Sequence, residues 1–347
     1  MSAKTVSNAF TRPDQLSAEL RERVLATAER LGYSGPDPLA AGLRRGRVGA
    51  LGVAYANPLS YAFDDPVSVA LLGGITSVAE RAETGLLLIP GSAAADRAAA
   101  AVQAAVVDGL IANSLAEDDP VLHAALGRGL PLVILDQPDA HHVRDRHGHR
   151  PPWIGIDDYT AATAAVDHLL ELGHRRFGVV SFAMQRTTER GLVDVPAQEA
   201  TRYAVTRRRL GAYRDAATRA GIDWSTVPVA AGNDSTVEEG AAAAAMVLAR
   251  EPRPTALLCL SDRLAEGALR TAAALGLDVP DALSVMGFDD AEPAARLGLS
   301  TISQPHRHKG ELAATALLDL LAGRRAEPTR MLTTRLVVRA STGPVVA

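Results

Sequence analysis

The sequence predicts an α/β protein with two lobes, each built on a parallel sheet, preceded by a small helical segment. From residue 48 onward, short apolar runs alternate with longer segments whose apolar residues recur at helical spacing. The inner runs are continuously apolar, which is typical of parallel strands covered by helices on both faces. About ten such runs are many for one open sheet, and 347 residues is roughly twice an average domain. Two open α/β sheets are therefore expected.

The strand candidates are short and rich in Val, Ile and Leu. They lie at residues 48–56, 85–90, 108–114, 131–137, 153–158, 175–183, 227–232, 255–262, 283–290 and 336–342. Amphipathic helices are expected between them, for example over 161–172, 201–220, 236–250 and 263–275.

A second series of strand–helix units begins after residue 158, so the boundary between the lobes is expected near residues 158–162. Within a body spanning 48–345, we assign about 48–158 and 292–323 to the first lobe. The second lobe takes about 162–290 and 326–345. Polar residues follow several strands, and in open α/β sheets ligands bind at those carboxyl ends, so a polar cleft between the lobes is predicted.

Residues 1–47 have a different character. Ser17 is a candidate N-cap for an amphipathic helix that closes at Gly32, and Ser2 could cap a shorter helix before it. We assign residues 1–35 to this helical unit. The breaker SGPDP then separates it from a short linker or helix within 36–47.

The composition and the charge pattern narrow the class of protein to which this chain can belong. Hydrophobic residues make up 47% and charged residues 22%, an ordinary balance for a folded globular chain. The net charge is −4, but residues 1–50 hold 8 Lys and Arg against 5 Asp and Glu, which gives +3 there and −7 in the remainder. A single cysteine, the lack of a signal-peptide pattern and the lack of a long apolar run indicate a cytoplasmic protein without a membrane segment.

Enzyme signatures are missing from the sequence. It contains no GxSxG elbow, P-loop or GxGxxG motif after a strand, and Cys259 lies inside an apolar strand. Four histidines cluster at His141, His142, His147 and His149, but arginines are interleaved and the segment has no Cys or Glu at ligand spacing. We therefore expect neither catalysis, nor a metal site, nor a cofactor.

The order of the motifs resembles the LacI/GalR family of bacterial transcription regulators over essentially the whole chain. KTVSNAF followed by LSAELRERVLATAERLGY is similar to the recognition helix and third helix of the family, and DPLAAGLRRGR to its hinge helix. GIDDYTAATAAVDHLLELGHRRFGVVS, RRLGAYRDA, LCLSDRLAEGALR, LSVMGFDD and LVVRAST match the family's effector domain in order and spacing. The resemblance implies a two-lobed effector domain like a type I periplasmic binding protein, after a partial helix-turn-helix.

The helical segment carries residue types suited to DNA. Lys4 and Asn8 are i and i+4 and share one helix face, from which Lys can reach guanine and Asn adenine, while Thr5 and Ser7 suit phosphates. The alternative is a solvated helix end. By resemblance, the base-reading positions are Ala3, Lys4 and Asn8.

In the hinge, the resemblance assigns Leu43 as a minor-groove wedge with Ala40 beside it, and Arg44 is a candidate phosphate contact.

One departure concerns the start of the chain. The family's DNA-binding domain has a further helix and turn before the recognition helix, and here the sequence begins at Met1. That helix normally buries the apolar side of the recognition helix. We expect a chain extended upstream to bind its operator much more tightly.

The resemblance also implies an effector site. Arg209 would clamp the ligand, Asp289 would accept from its hydroxyls, and Ser261 stands where the family often has Asn. Asp234 and His306 stand where some members stack an aromatic ring on a sugar, which indicates a more polar or charged ligand. Further candidates from the first lobe and the lobe junction are Tyr61, Phe63, Asp157 and Thr160.

The function predicted in this way is an effector-responsive repressor that binds palindromic operator DNA as a homodimer and takes a small sugar-like or polar effector. Two alternatives remain. A solute-binding protein of the same fold would need an export signal and no N-terminal unit. A ligand sensor that has lost DNA binding would differ in operator affinity alone.

Overall fold

The computed structural model describes residues 2–35, 47–91, 94–139, 143–185 and 190–345. The predicted N-terminal helices are confirmed as α1 (Ala3–Thr11) and α2 (Ala18–Arg30), joined by a 3₁₀ turn at Pro13–Gln15. The side chains of Ser2 and Ser17 accept hydrogen bonds from backbone N–H groups in each first turn, as predicted. Packing between the helices buries Ala9, Val24 and Ala28.

The first lobe is a six-stranded sheet with the order β12-β5-β4-β3-β1-β2 and parallel pairing throughout. Its strands are β1 (Ala50–Tyr55), β2 (Gly85–Ile89), β3 (Gly109–Asn113), β4 (Leu132–Leu135), β5 (Trp153–Ile156) and β12 (Thr329–Leu332). Its helices are α3 (Leu59–Asp64), α4 (Pro66–Arg81), α5 (Ala95–Ala104), α6 (Pro120–Arg128) and α13 (His306–Leu321). Helices α4 and α13 cross closely, since a side chain at Gly74 or Gly310 would collide with backbone of the opposite helix.

The second lobe is a five-stranded sheet with the order β10-β9-β6-β8-β7, in which β7 alone is antiparallel to its neighbour. Its strands are β6 (Phe177–Ser181), β7 (Gly191–Leu192), β8 (Val229–Ala231), β9 (Ala256–Cys259) and β10 (Ser284–Met286). Its helices are α7 (Asp158–Glu171), α8 (Val195–Glu199), α9 (Ala204–Arg219), α10 (Val237–Leu248), α11 (Asp262–Ala274) and α12 (Glu292–Arg296), with a 3₁₀ turn at Trp224–Thr226. A small antiparallel pair, β11 (Thr301–Ser303) with β13 (Arg335–Val337), completes the fold.

The predicted lobe boundaries need two corrections. The segment after residue 292 begins in the second lobe, where Ala294, Leu299 and Ile302 join the core, and only α13 belongs to the first lobe. Strand β12 pairs with β5 of the first lobe, although residues 326–345 were assigned to the second. Most of β12 is exposed, so its sequence lacks the apolar run by which strands are recognised.

No helix within the described ranges is long and apolar enough to cross a membrane.

Candidate functional site: a polar cavity between the lobes

A cavity of about 740 Å³ lies between the lobes, at the carboxyl ends of strands from both sheets. This is where open α/β sheets place their ligands. Six of the predicted effector residues line it: Tyr61, Arg209, Asp234, Ser261, Asp289 and His306. The fold therefore brings together residues that are up to 245 positions apart in the chain, since residues 61 and 306 meet there.

The structure does not bring Phe63, Asp157 or Thr160 to this cavity. The Phe63 side chain is 61% exposed on the short helix α3. Asp157 caps α7 by accepting from the backbone N–H and the hydroxyl of Thr160, at 3.1 and 2.7 Å, so the two residues satisfy each other. Asp157 lines a separate cavity of about 240 Å³ at the lobe junction.

Arg209 is held rigidly in the cavity wall. Its guanidinium forms a buried ion pair with Asp158 at 2.8 Å and donates to the carbonyl of Leu260 at 2.6 Å. The guanidinium carbon also lies 3.6 Å from the centroid of the Phe288 ring. Burial raises the pKa of Asp158, and the charge of Arg209 opposes that shift. The sequence analysis did not identify Asp158 as the partner of Arg209, because no local pattern relates two residues that are 51 positions apart.

Asp289 is buried at the end of β10 and accepts from the Gln304 amide at 2.8 Å. Burial raises its pKa well above the ordinary value, and repulsion from Asp262 adds to the shift. Burial also raises the pKa of Asp262 to about 7. Burial in the cavity therefore favours the protonated form of Asp289 more than water does, and a protonated carboxyl can both donate and accept hydrogen bonds.

The backbone around the cavity is strained. Three of its non-glycine lining residues have positive φ: Ser114 at 52°, Asp136 at 60° and Asp289 at 123°. Such backbone costs of order 1–3 kcal/mol per residue and clusters at functional sites. Their positions at strand ends turn the polar side chains toward the space between the lobes.

Tyr55 is a cavity residue that the sequence analysis missed, because it lies within the apolar run of β1. Tyr55 is 4% exposed and is one of the residues that line the cavity, and its buried hydroxyl has no hydrogen-bond partner among the described residues. An unpaired buried hydroxyl costs about 1–3 kcal/mol, so this group is an unsatisfied polar atom in the wall of the cavity.

Contacts across the cavity mouth hold the lobes together. The Asn57 amide donates to Asp234 at 3.2 Å, and the Gln137 side chain accepts from the backbone N–H of Val205 at 3.1 Å. Arg202 pairs with Asp118 at 2.6 Å. Each of these contacts joins the first lobe to the second, so the two lobes contact each other directly beside the cavity.

His306 makes stability depend on pH. Burial, assisted by the nearby Lys309, lowers its pKa from 6.5 to about 4. The unfolded state thus binds a proton that the folded state does not, and the resulting stability is present above pH 6.5 and lost as pH falls toward 4. In urea unfolding, we expect wild type to lose about 1–2 kcal/mol more than His306→Gln between pH 7.5 and pH 5. Equal losses in both proteins would contradict the assignment.

Some of the α1 residues that were predicted to face DNA are half-buried or hydrogen-bonded to other side chains. Ala3 and Lys4 are exposed, while Thr5 and Ser7 are half-buried. The Asn8 amide donates to Gln15 at 3.1 Å, and the Thr5 hydroxyl bonds to that of Ser2 at 2.8 Å. The predicted hinge residues Ala40, Leu43 and Arg44 lie outside the described residues.

A helical N-terminal unit precedes a two-lobed body with a polar interlobe cavity, and several proteins to which this chain is similar are transcription regulators. The family model described as "Periplasmic binding protein-like domain" matches residues 166–342. HTH-type transcriptional regulator Rv3575c of Mycobacterium tuberculosis is 41% identical over 92% of this chain and 87% of its own length. IpsA of Corynebacterium glutamicum is 37% identical over 99% of this chain and 95% of its own length, and the repressor CytR of Escherichia coli is 30% identical over 99% and 93%.

Solved structures of transcription regulators have a fold similar to that of this chain. A LacI family regulator from Corynebacterium glutamicum has a TM-score of 0.77 at 35% identity, covering 100% of this chain and 96% of its own. The lac repressor dimer bound to operator and the anti-inducer ONPF has a TM-score of 0.76 at 25% identity, covering 99% and 96%. A CelR–cellobiose complex has a TM-score of 0.71 at 25% identity, covering 98% and 96%. The chain belongs to the LacI family of HTH-type transcriptional regulators.

Proposed function

We propose that this chain is a cytoplasmic repressor whose interlobe cavity binds a small, sugar-like polar effector and thereby controls operator affinity. The observation that carries this proposal is the polar cavity between the two lobes, whose lining includes Tyr55 with its buried, unpaired hydroxyl. A ligand that binds one lobe arrangement better than another shifts the population between them, which is how it can alter DNA affinity.

The lining supports a ligand with several hydroxyl groups. Its polar groups include the carboxyls of Asp65, Asp234 and Asp289, and the rings of Tyr61 and Phe182 offer apolar faces. Such a mixture suits a saccharide, whose hydroxyls need donors and acceptors while its C–H faces pack on rings. The complex of the related CelR with cellobiose supports a ligand of that kind.

For DNA, we propose that the α1 residues Ala3, Lys4, Thr5, Ser7 and Asn8 face the operator and that Ala40, Leu43 and Arg44 contact it from the hinge. A homodimer would present both copies to a palindrome. The lac repressor, solved as a dimer on its operator, supports this arrangement.

The experiment is a thermal-shift screen of neutral saccharides and sugar acids, followed by Tyr55→Phe. We expect this variant to be at least as stable as wild type without ligand, because removing an unpaired buried hydroxyl breaks no hydrogen bond and relieves its desolvation cost. Its affinity for the selected saccharide should fall about 10-fold or more, since the ligand atom loses a buried partner.

The matched control is Tyr213→Phe. The Tyr213 hydroxyl is also fully buried and unpaired among the described residues, but it does not line the cavity. Wild-type affinity in the Tyr213 variant and reduced affinity in the Tyr55 variant would support the proposal. Equal affinity in all three proteins would refute it.

A further inference from the structure

Lys309 is a lysine in a place where lysine is costly. Its side chain is only 1% exposed and lies in the first turn of α13. Burial disfavours the ammonium charge, and the positive end of the helix dipole disfavours it again. The position therefore needs an explanation beyond helix packing.

The ammonium joins the first lobe to the crossing between the lobes. Lys309 Nζ lies 2.6 Å from an oxygen of Asp136, which follows β4 of the first lobe. It also donates to Gln304 Oε1 at 3.2 Å. Gln304 stands between β11 and α13, where the chain passes from the second lobe to the first.

Gln304 continues the connection into the second lobe. Its amide donates to the carboxyl of Asp289 at 2.8 Å. Asp136, Lys309, Gln304 and Asp289 thus form one chain of hydrogen bonds along the cavity. Both terminal carboxyls are on residues with left-handed backbone, which the surrounding structure must hold in place.

Stability alone does not account for this pair. A buried ion pair is often no more stabilising than apolar side chains of similar size, because desolvation offsets the attraction. Methionine has nearly the length of lysine and would fill the same space beside α4. In some proteins a buried ion pair is instead retained because it fixes one arrangement of the chain.

We propose that Lys309 is a positioning residue: through Gln304 it sets the angle between the two lobes and the orientation of Asp289 in the cavity. The part concerning Asp289 rests on the proposed function, whereas the part concerning the lobe angle does not. Without the ammonium, the Gln304 amide can rotate and the two carboxyls are no longer linked.

The test measures the distance between the lobes directly. Spin labels are placed through Glu80→Cys on α4 and Ala273→Cys on α11, two exposed positions on different lobes. The native Cys259 is fully buried and does not compete for label. Pulsed electron paramagnetic resonance then gives the distance distribution without ligand or DNA, with excess unlabelled chain to suppress distances between subunits.

We expect one narrow distribution for wild type and a width at least doubled for Lys309→Met. Gln304→Leu, which keeps the Lys309–Asp136 pair, should broaden it similarly and decides the matter if Lys309→Met does not fold. The matched control is Arg307→Met, on the same helix with its side chain 63% exposed, and it should leave the width unchanged.

A double variant separates positioning from simple stability. Lys309→Met combined with Asp136→Asn removes both charges, so the urea midpoint should return toward wild type while the distribution stays broad. Recovery of the narrow distribution with the midpoint would overturn the proposal, as would unchanged widths in Lys309→Met and Gln304→Leu. Failure to find any saccharide ligand would affect the proposed function but not these distances.

Discussion

Replacing Arg209 by methionine is expected to lower the free energy of unfolding of the effector domain by about 3–5 kcal/mol. The substitution leaves the Asp158 carboxyl, 2% exposed in its side chain, without its cation. It also removes the stacking on Phe288 and the hydrogen bond to the carbonyl of Leu260. Urea unfolding at neutral pH measures the change.

Two further variants test the cause of that loss. Arg214→Met removes a cation from the same helix, but its ion pair with Glu199 is exposed, so a change of at most about 1 kcal/mol is expected. Combining Arg209→Met with Asp158→Asn removes the buried charge and should restore at least half of the lost stability. If the double variant is as unstable as the single one, the unpaired carboxyl is not the cause.

Replacing Asp289 by asparagine should separate ligand binding from folding. Asparagine has the same shape and tolerates the positive φ of 123° at this position. It also removes a carboxyl that burial and Asp262 disfavour in its charged form. We expect the free energy of unfolding to stay within about 1 kcal/mol of wild type.

Affinity for the saccharide selected in the screen should nevertheless fall about 30-fold or more. One carboxyl oxygen already accepts from Gln304, and asparagine replaces the other by a nitrogen that can donate but cannot accept a hydrogen bond from the ligand. Affinity for a DNA duplex selected from a random pool should not change. Calorimetry and gel-shift titration give the two constants.

Asp290→Asn is the adjacent control. The carboxyl of Asp290 pairs with Arg339 at 2.7 Å and does not line the cavity, so ligand affinity should remain at the wild-type value. Equal affinity in the Asp289 and Asp290 variants would exclude Asp289 from the binding site.

Most strands could be predicted because buried parallel strands are continuous apolar runs. The run at 255–262 contains β9 and the run at 175–183 contains β6. Strands β7, β11 and β12 were missed because the first two have only two and three residues and the third is largely exposed. Local hydrophobicity cannot identify a strand that is defined mainly by its hydrogen-bond partner.

The cavity residues likewise divide into those that the local sequence identifies and those that depend on neighbours far along the chain. Arg209 and Asp289 were found through motifs, since each lies in a recognisable stretch of sequence. Tyr55 and Lys309 were not found, because a tyrosine in an apolar run is read as core and a lysine in a helix as exposed surface. Their roles depend on neighbours far along the chain, such as Asp136, 173 positions from Lys309.

The amino-acid order by itself determined the alternating strand–helix series, the separate helical N-terminus and the family to which the chain is similar. These follow from the periodicity of side chains and from short motifs, both of which are local properties. Only the tertiary structure decided which lobe the last segments join, that Arg209 pairs with Asp158, and that the Lys309 ammonium is buried against Asp136. Those outcomes depend on how the chain passes from one sheet to the other. In those connections, a change in the backbone dihedral angles of one residue changes which side chain faces the cavity.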